Sequence, residues 1–183
     1  LEKCNEVDEE ALQCWDLDDY RTAKYSTPFC HIFGGLSSEA KYCLACSHSR
    51  QVLQCFYRLG LKIPDEERPS VESALRFHGR EYQLGDEACG APGRRTRTES
   101  VLRWPSVLTL GIQRQDDAEQ KLFTALDFNL TLNVNDGITY DLRGVVVHEG
   151  HSVRSGHYIA YVCGRGGKWF RCNDACTPQE VSV

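Results

Sequence analysis

Methionine is absent from all 183 residues, and the chain begins at Leu1. Translated chains start with methionine and usually contain more, so we expect this sequence to be part of a longer protein. There is also no apolar run near the roughly 18 residues that span a bilayer, so a membrane protein is not expected. Residues 1–12 are acidic without an apolar stretch, which argues against a signal peptide there.

A strong charge of either sign is also missing. The 21 Lys and Arg residues are opposed by 26 Asp and Glu residues, which gives a net charge of −5. Nucleic-acid binding usually needs a basic surface, so that class of partner is not expected. A hydrophobic fraction of 41% is ordinary for a globular protein and too high for global disorder. The length suits one domain with a core of its own.

Cysteine, in contrast, is abundant, with ten residues. Cys43 and Cys46 have the C-x-x-C spacing that lets two thiolates bind one metal ion. The chain is large enough to fold without disulfides, so we expect a reducing compartment, the cytoplasm or the nucleus. Six cysteines stand singly among apolar or mixed neighbours and are predicted to be small packing residues: Cys4, Cys14, Cys30, Cys55, Cys163 and Cys172.

The pattern of apolar residues and breakers predicts an α+β fold with a largely antiparallel sheet. A helix is predicted after Ser70, its N-cap, and is expected to stop at Gly79. Residues 5–15 are predicted to be the end of another helix, and residues 85–98, with several arginines, a turn-rich loop. The predicted strands are 29–33, 50–63, 104–114 and 138–150, followed by a hairpin of 156–164 and 167–172.

The residues with the clearest chemistry are His157 and the pair Asn173-Asp174. On the predicted hairpin, Asn173 returns beside the start of the strand that carries His157. An amide or carboxylate there can bind one ring nitrogen, fix the tautomer and leave the other nitrogen to accept a thiol proton. The alternative is that His157 is an ordinary surface or core histidine, and the local pattern alone does not decide between the two.

Longer stretches resemble a known family. The run VVVHEGHSVRSGHYIAYV, followed by KWFRCNDACTPQEVSV, resembles the C-terminal boxes of the ubiquitin-specific proteases, which are papain-like cysteine deubiquitinases. FGGLSSEAKYCLACSHSRQVLQCFYRLGLKIP is similar to the family's first finger segment. RWPSVLTLGIQR followed by Lys121 is similar to a palm strand, and YDLRGVVVHEG to the strand with Tyr-x-Leu. The segments keep the family's order across residues 29–183.

This resemblance implies a papain-like fold of the ubiquitin-specific protease type. Residues 1–183 would be the C-terminal part of the catalytic domain, with the fingers at about 29–100 and the palm at 101–183. Residues 149–156 would form a loop over the cleft that receives the C-terminal tail of ubiquitin, next to a loop at 115–121. The expected partner is ubiquitin or a ubiquitinated protein.

The resemblance also implies roles for single residues. His157 would be the general base, Asn173 would orient it, and Asp174 would be the acidic residue that supports the site. The family's nucleophile lies in a Gly-Asn-Thr-Cys box upstream of the fingers, and neither Cys4 nor Cys14 lies in such a box. We therefore expect the nucleophile before Leu1. Without a thiolate no thioester forms, so this chain alone is not expected to hydrolyse anything.

A structural zinc ion is a further implication of the resemblance. It would bind Cys43, Cys46 and Cys89, with Asp86 in the fourth position and His48 or His78 as substitutes. A decayed site with reduced thiols stays open, and no catalytic cofactor is expected.

Two other functions also remain open. One is a catalytically inactive member of the family that binds or scaffolds. The other is a zinc-binding adaptor without a link to ubiquitin, which would explain Cys43 and Cys46 but not the ordered C-terminal segments.

Overall fold

The computed structural model describes residues 28–44, 47–80, 82–84, 95–135 and 137–182. The chain divides into two compact units, Leu1–Leu61 with Arg76–Gly111, and Lys62–Leu75 with Ile112–Val183. Within the described ranges no helix is long and apolar enough to cross a membrane. The helices are α1 (Pro28–Phe33) and α2 (Val71–His78), and the strands are β1 (Gly35–Cys43), β2 (Ser49–Phe56), β3 (Leu59–Lys62), β4 (Tyr82–Leu84), β5 (Arg95–Arg103), β6 (Leu110–Gln113), β7 (Thr131–Asn135), β8 (Ile138–Asp141), β9 (Gly144–Ser152), β10 (Ser155–Cys163), β11 (Trp169–Cys172) and β12 (Gln179–Val181).

The first unit is built on an antiparallel sheet with strand order β2-β1-β5-β4. The first half of β1 is buried, and Leu36 is only 2% exposed. Ser38, two residues further along β1, is also buried, and its hydroxyl accepts a hydrogen bond of 2.7 Å from the Gln51 side chain on β2. A buried hydroxyl is tolerated because it has a partner.

Charged side chains pair on the same sheet. Glu39 on β1 stands directly opposite Glu99 on β5, an arrangement that would be repulsive by itself. The guanidinium of Arg97 lies 2.6 Å from one carboxylate and 3.4 Å from the other. Lys41 lies 2.7 Å from Glu39, and this hydrogen bond is the main reason that the pKa of Glu39 is below its usual value. The two positive neighbours therefore favour the ionised form of Glu39 although another carboxylate stands opposite it.

The second unit contains an antiparallel sheet with strand order β12-β11-β10-β9. Ile159 on β10 is 1% exposed and Trp169 on β11 is 7% exposed, so these two residues mark the packed part of the sheet. A short 3-10 turn joins β10 to β11. Gly166 and Gly167 have φ values of 75° and 76° there, a conformation that glycine adopts at little cost.

The predicted helix start at Ser70 is confirmed. The Ser70 hydroxyl accepts a hydrogen bond of 3.0 Å from the Ser73 backbone N–H, and the Ser73 hydroxyl lies 2.9 Å from the Ser70 backbone nitrogen. This reciprocal pair satisfies donors that the first turn of a helix leaves open. The helix ends at His78, directly before Gly79 as predicted.

The prediction of a strand at 29–33 is wrong, since these residues belong to α1. Pro28 fits the first turn of a helix because its fixed φ is helical and its missing N–H would have no partner there. The Gly34 N–H donates to the Cys30 carbonyl at 2.9 Å and closes the last turn. A helix this short leaves no periodic pattern that distinguishes it from a strand.

The strand predicted at 104–114 is mostly wrong, because only Leu110–Gln113 is a strand. The preceding strand, β5, ends at Arg103, before Trp104 and a proline that cannot donate to a ladder. The loop predicted for 85–98 is wrong for 95–98, which lie in β5, while residues 85–94 and the helix predicted at 5–15 lie outside the described residues.

The remaining predicted strands are confirmed with breaks. The segment 50–63 forms β2 and β3, the segment 138–150 forms β8 and most of β9, and the predicted hairpin forms β10 and β11. The α+β class, with mainly antiparallel strands, is therefore confirmed for the described part of the chain.

Candidate active site

The two site residues predicted from the hairpin lie in contact. His157 is near the start of β10, Asn173 directly follows β11, and the pairing of Ala160 with Cys172 brings these strand ends together. The His157 Nε2 atom lies 2.5 Å from Asn173 Oδ1. An amide oxygen can only accept, so Nε2 is the donor of this hydrogen bond, and a neutral ring then has its lone pair on Nδ1. His157 is therefore held in the tautomer that can accept a proton at Nδ1.

Asp174 occupies a different position from its neighbour. Its Oδ2 atom is 3.9 Å from His157 Nε2, and its side chain is 77% exposed. Asp174 has a φ of 47°, in the left-handed region that aspartate tolerates better than most residues. The Cys176 N–H donates to the Asn173 carbonyl at 3.0 Å and closes this turn. Asn173 thus makes the hydrogen bond, and Asp174 adds a nearby negative charge.

The segment predicted as a loop at 149–156 is instead the tip of a β-hairpin. Residues 149–152 belong to β9 and 155–156 to β10, with a turn at 153–154. A side chain at Gly156 would meet the ring of His148 and the carbonyl of Glu149. Close backbone approach at this glycine lets the ladder continue almost to the turn, and it brings His157 opposite Glu149.

The loop at 115–121 lies beside this hairpin tip. The Asp116 carboxylate accepts backbone hydrogen bonds from Ala118 and Gln120 at 3.0 and 2.7 Å, which fixes the loop. A pocket of about 320 Å³ is lined by residues 118–121 and 151–154. Arg154 and Glu119, on its two sides, form an exposed ion pair of 2.8 Å.

Lys121, at the end of this loop, contacts the hairpin directly. Its Nζ atom lies 3.0 Å from the His148 carbonyl and also contacts the Gly150 carbonyl. The sequence marked Lys121 as the end of a palm segment but assigned it no role in the site. Its partners are 27 and 29 residues away, so no local pattern predicts the contact.

The predicted zinc site is described only at Cys43, since Cys46, Cys89 and Asp86 lie outside the described residues. Cys43 is buried at the end of β1, and its N–H donates to the His48 carbonyl at 2.9 Å. Among the residues that are described, no group of three metal-binding side chains occurs. The zinc site stays a prediction.

Comparison with known proteins places the chain in a family. The family model described as ubiquitin carboxyl-terminal hydrolase matches residues 2–182. The chain belongs to the ubiquitin carboxyl-terminal hydrolase family. The resemblance to the ubiquitin-specific proteases is confirmed, and the unrelated zinc-binding adaptor is left without support.

Curated relatives agree with this assignment. Ubiquitin carboxyl-terminal hydrolase 44-A of Xenopus laevis is 28% identical over 82% of this chain and 27% of its own length. Ubiquitin carboxyl-terminal hydrolase 17-like protein C of Mus musculus is 30% identical over 84% of this chain and 30% of its own length. The chain therefore spans less than a third of each of these two hydrolases.

Solved structures show the same fold. A SAGA DUB module of Ubp8, Sgf11, Sus1 and Sgf73 bound to monoubiquitin matches with a TM-score of 0.70 and 26% identity, over 83% of this chain and 37% of the other. The module bound to ubiquitin aldehyde matches with a TM-score of 0.73 and 25% identity, over 96% and 44% of the two chains. The predicted papain-like fold of the ubiquitin-specific hydrolases is thereby confirmed.

Proposed function

We propose that the full-length protein is a cysteine-type deubiquitinase that hydrolyses the isopeptide bond at the C-terminal glycine of ubiquitin. The observation that carries this proposal is the 2.5 Å contact between His157 Nε2 and Asn173 Oδ1. It leaves the Nδ1 lone pair of a partly exposed ring available to a thiol. Ubiquitin as the partner is supported by the related structures, which contain monoubiquitin or ubiquitin aldehyde.

The chemistry assigned to His157 is general acid–base catalysis. Nδ1 takes the proton of a cysteine thiol, and the thiolate attacks the carbonyl carbon of the terminal glycine. The carbon–nitrogen bond breaks, the proton passes from Nδ1 to the leaving lysine amine, and a thioester remains. Water then attacks the thioester carbonyl and gives a proton to Nδ1, the carbon–sulfur bond breaks to release the C-terminal carboxylic acid of ubiquitin, and Nδ1 returns the proton to the thiolate. Throughout, Asn173 holds the ring in one orientation.

The nucleophile in this proposal comes from a part of the full-length protein outside this chain. Within the described residues, the ring of His157 has Asn173 as its hydrogen-bond partner. The chain spans only 27% of the Xenopus relative, so most of such a hydrolase lies elsewhere. A location in the cytoplasm or the nucleus is part of the same proposal, and it fits the unpaired thiols of Cys55, Cys163 and Cys172.

The proposal is tested with full-length protein and ubiquitin that carries a C-terminal electrophile. We expect a covalent adduct, and we expect His157→Ala to lower kcat/KM for a fluorogenic ubiquitin amide by about 10³-fold or more. The matched control is His31→Ala, since His31 lies in α1 and is exposed. That variant should keep full activity.

Absence of labelling by a folded wild-type protein would contradict the proposal. If such a protein still bound ubiquitin, the inactive binding or scaffolding member of the family would be the better description.

A further inference from the structure

Lys121 uses all of its donors on one short stretch of β9. Its Nζ atom lies 3.1 Å from His148 Nδ1 and 3.0 Å from the His148 carbonyl, and it also contacts the Gly150 carbonyl. An ammonium group has three N–H donors and no acceptor, so three acceptors satisfy it completely. His148 therefore presents the lone pair of Nδ1 to Lys121.

These contacts surround the residue that faces His157. In the antiparallel ladder His157 is paired with Glu149, the residue between the two whose carbonyls contact Lys121. The register shifts between Ser155 and His157, so the ladder is irregular immediately before the histidine. The two carbonyl contacts of Lys121 lie on either side of Glu149 and form a clamp on β9. This clamp holds β9 at the point where its pairing with β10 is irregular.

The position of Lys121 is itself fixed. It forms an isolated antiparallel bridge with Gln115 across the loop that Asp116 orders. Its ammonium also lies 5.4 Å from the centre of the Phe123 ring, within the range of a cation–π contact. Arginine would not replace it well, because a planar guanidinium cannot point three donors at acceptors grouped around one nitrogen atom.

We propose that Lys121 is a positioning residue for His157: by binding the His148 and Gly150 carbonyls it holds the hairpin that presents the histidine. Lys121 touches neither His157 nor the reacting atoms, and it acts through the backbone of β9. The expected effect on kcat rests on the proposed function, whereas the expected effect on the order of the hairpin does not.

The test compares Lys121→Met with Lys168→Met in full-length protein. Methionine keeps most of the length of the side chain without donors, and Lys168 is an exposed lysine of the same unit, paired with Glu180 at 3.0 Å. A misplacement of about 1 Å costs up to about 10²-fold, so we expect Lys121→Met to lower kcat about 10- to 100-fold while KM for ubiquitin amide changes little. Hydrogen exchange should rise in residues 144–163 and stay unchanged in β1, and Lys168→Met should behave as wild type.

Every other outcome of these measurements contradicts the proposed role of Lys121 or assigns it another one. Unchanged kcat, or unchanged exchange in residues 144–163, overturns the proposal, and a rise in KM alone would assign Lys121 to ubiquitin binding instead. If Lys121→Met does not fold, Lys121→Gln, which retains two N–H donors, should show a smaller loss of the same kind. Raised exchange in β1 for both variants would make the role purely structural and also overturn it. If the wild-type protein is inactive, the proposed function fails, while the exchange comparison still decides the role of the clamp.

Discussion

Two side chains adjacent in the sequence lie near the same ring nitrogen of His157, and their distances to that nitrogen differ. Asn173 Oδ1 is 2.5 Å from Nε2, whereas Asp174 Oδ2 is 3.9 Å away on a side chain that is 77% exposed. Solvent screens a charge that exposed, so its effect on the imidazole is small. We therefore expect the amide of Asn173, and not the carboxylate of Asp174, to orient the ring.

The two neighbours should consequently differ in their mutational effects. We expect Asn173→Ala to lower kcat by about 10²-fold, because the ring loses its fixed tautomer and orientation. Asn173→Asp should keep activity within about tenfold, since a carboxylate also accepts from Nε2. Asp174→Ala, the matched control next to it, should change kcat by less than about threefold. Steady-state kinetics on ubiquitin amide measure all three, and a larger loss for Asp174→Ala than for Asn173→Ala would reverse the assignment.

The sequence could predict His157 and Asn173 because a hairpin is a local structure, in which strand lengths and the turn fix which residues meet. The same reasoning could not find Lys121, whose acceptors are backbone carbonyls on a distant strand. A carbonyl leaves no signature in the sequence, because every residue has one. Cys43 and Cys46 were predicted from their C-x-x-C spacing, whereas Cys89 and Asp86 depend on the resemblance, and three of the four lie outside the described residues.

The β9–β10 hairpin depends on the close approach of its two strands at Gly156. A side chain at Gly156 would meet both the His148 ring and the Glu149 carbonyl, whereas one at Gly60 in β3 would meet nothing within 4 Å. The two glycines both lie in strands but differ in the space around them. The strand at 138–150 was predicted from its residues, but the β9–β10 hairpin was not, because the resemblance implied a loop at 149–156.

This contrast predicts opposite outcomes for the same substitution. Gly156→Ala should displace His157 and lower kcat about 10- to 100-fold. Gly60→Ala should leave kcat unchanged, and it can add a few tenths of a kcal/mol of stability because the unfolded chain loses freedom. Kinetics and thermal unfolding of full-length protein measure both effects. Equal kcat for the two variants would show that the space at Gly156 does not position the histidine.

For the whole molecule, the pattern of apolar residues and breakers predicted the α+β class, whereas the papain-like architecture was predicted from the resemblance. Alternation and breakers predicted β2, β3, β8, most of β9, β10 and β11, but they missed β1 and β5, whose pairing joins distant segments of the chain. The failure at 29–33 has a different cause, because a helix of six residues is too short to show a period. The division into fingers at 29–100 and palm at 101–183 stays a prediction.

The ion pairs of Glu39 with Lys41 and Arg97 give stability a pH dependence. The pKa of Glu39 lies below its usual 4.5 because Lys41, and then Arg97, favour the carboxylate. The folded protein therefore holds this proton less tightly than the unfolded chain. Its contribution to stability is present above pH 4.5 and is lost as the pH falls through the lower, folded-state pKa.

We expect Glu39→Gln to reduce the loss of thermal stability between pH 6 and pH 3, because the variant has no carboxylate to protonate there. Glu180→Gln, at an exposed pair with Lys168, is the control and should follow the wild-type curve. Thermal midpoints across this pH range give the measurement. Identical pH curves for Glu39→Gln and the wild type would show that the pairing contributes nothing.

The contact between His157 and Asn173 closes a loop of 16 residues that is almost entirely one hairpin. Short loops cost little entropy to close, and local contacts form early in folding. His157 and Asn173 can therefore meet before any distant segment arrives. Under the proposed function, assembly of the site would then require only that the cysteine-bearing segment docks against a pair whose geometry is already set.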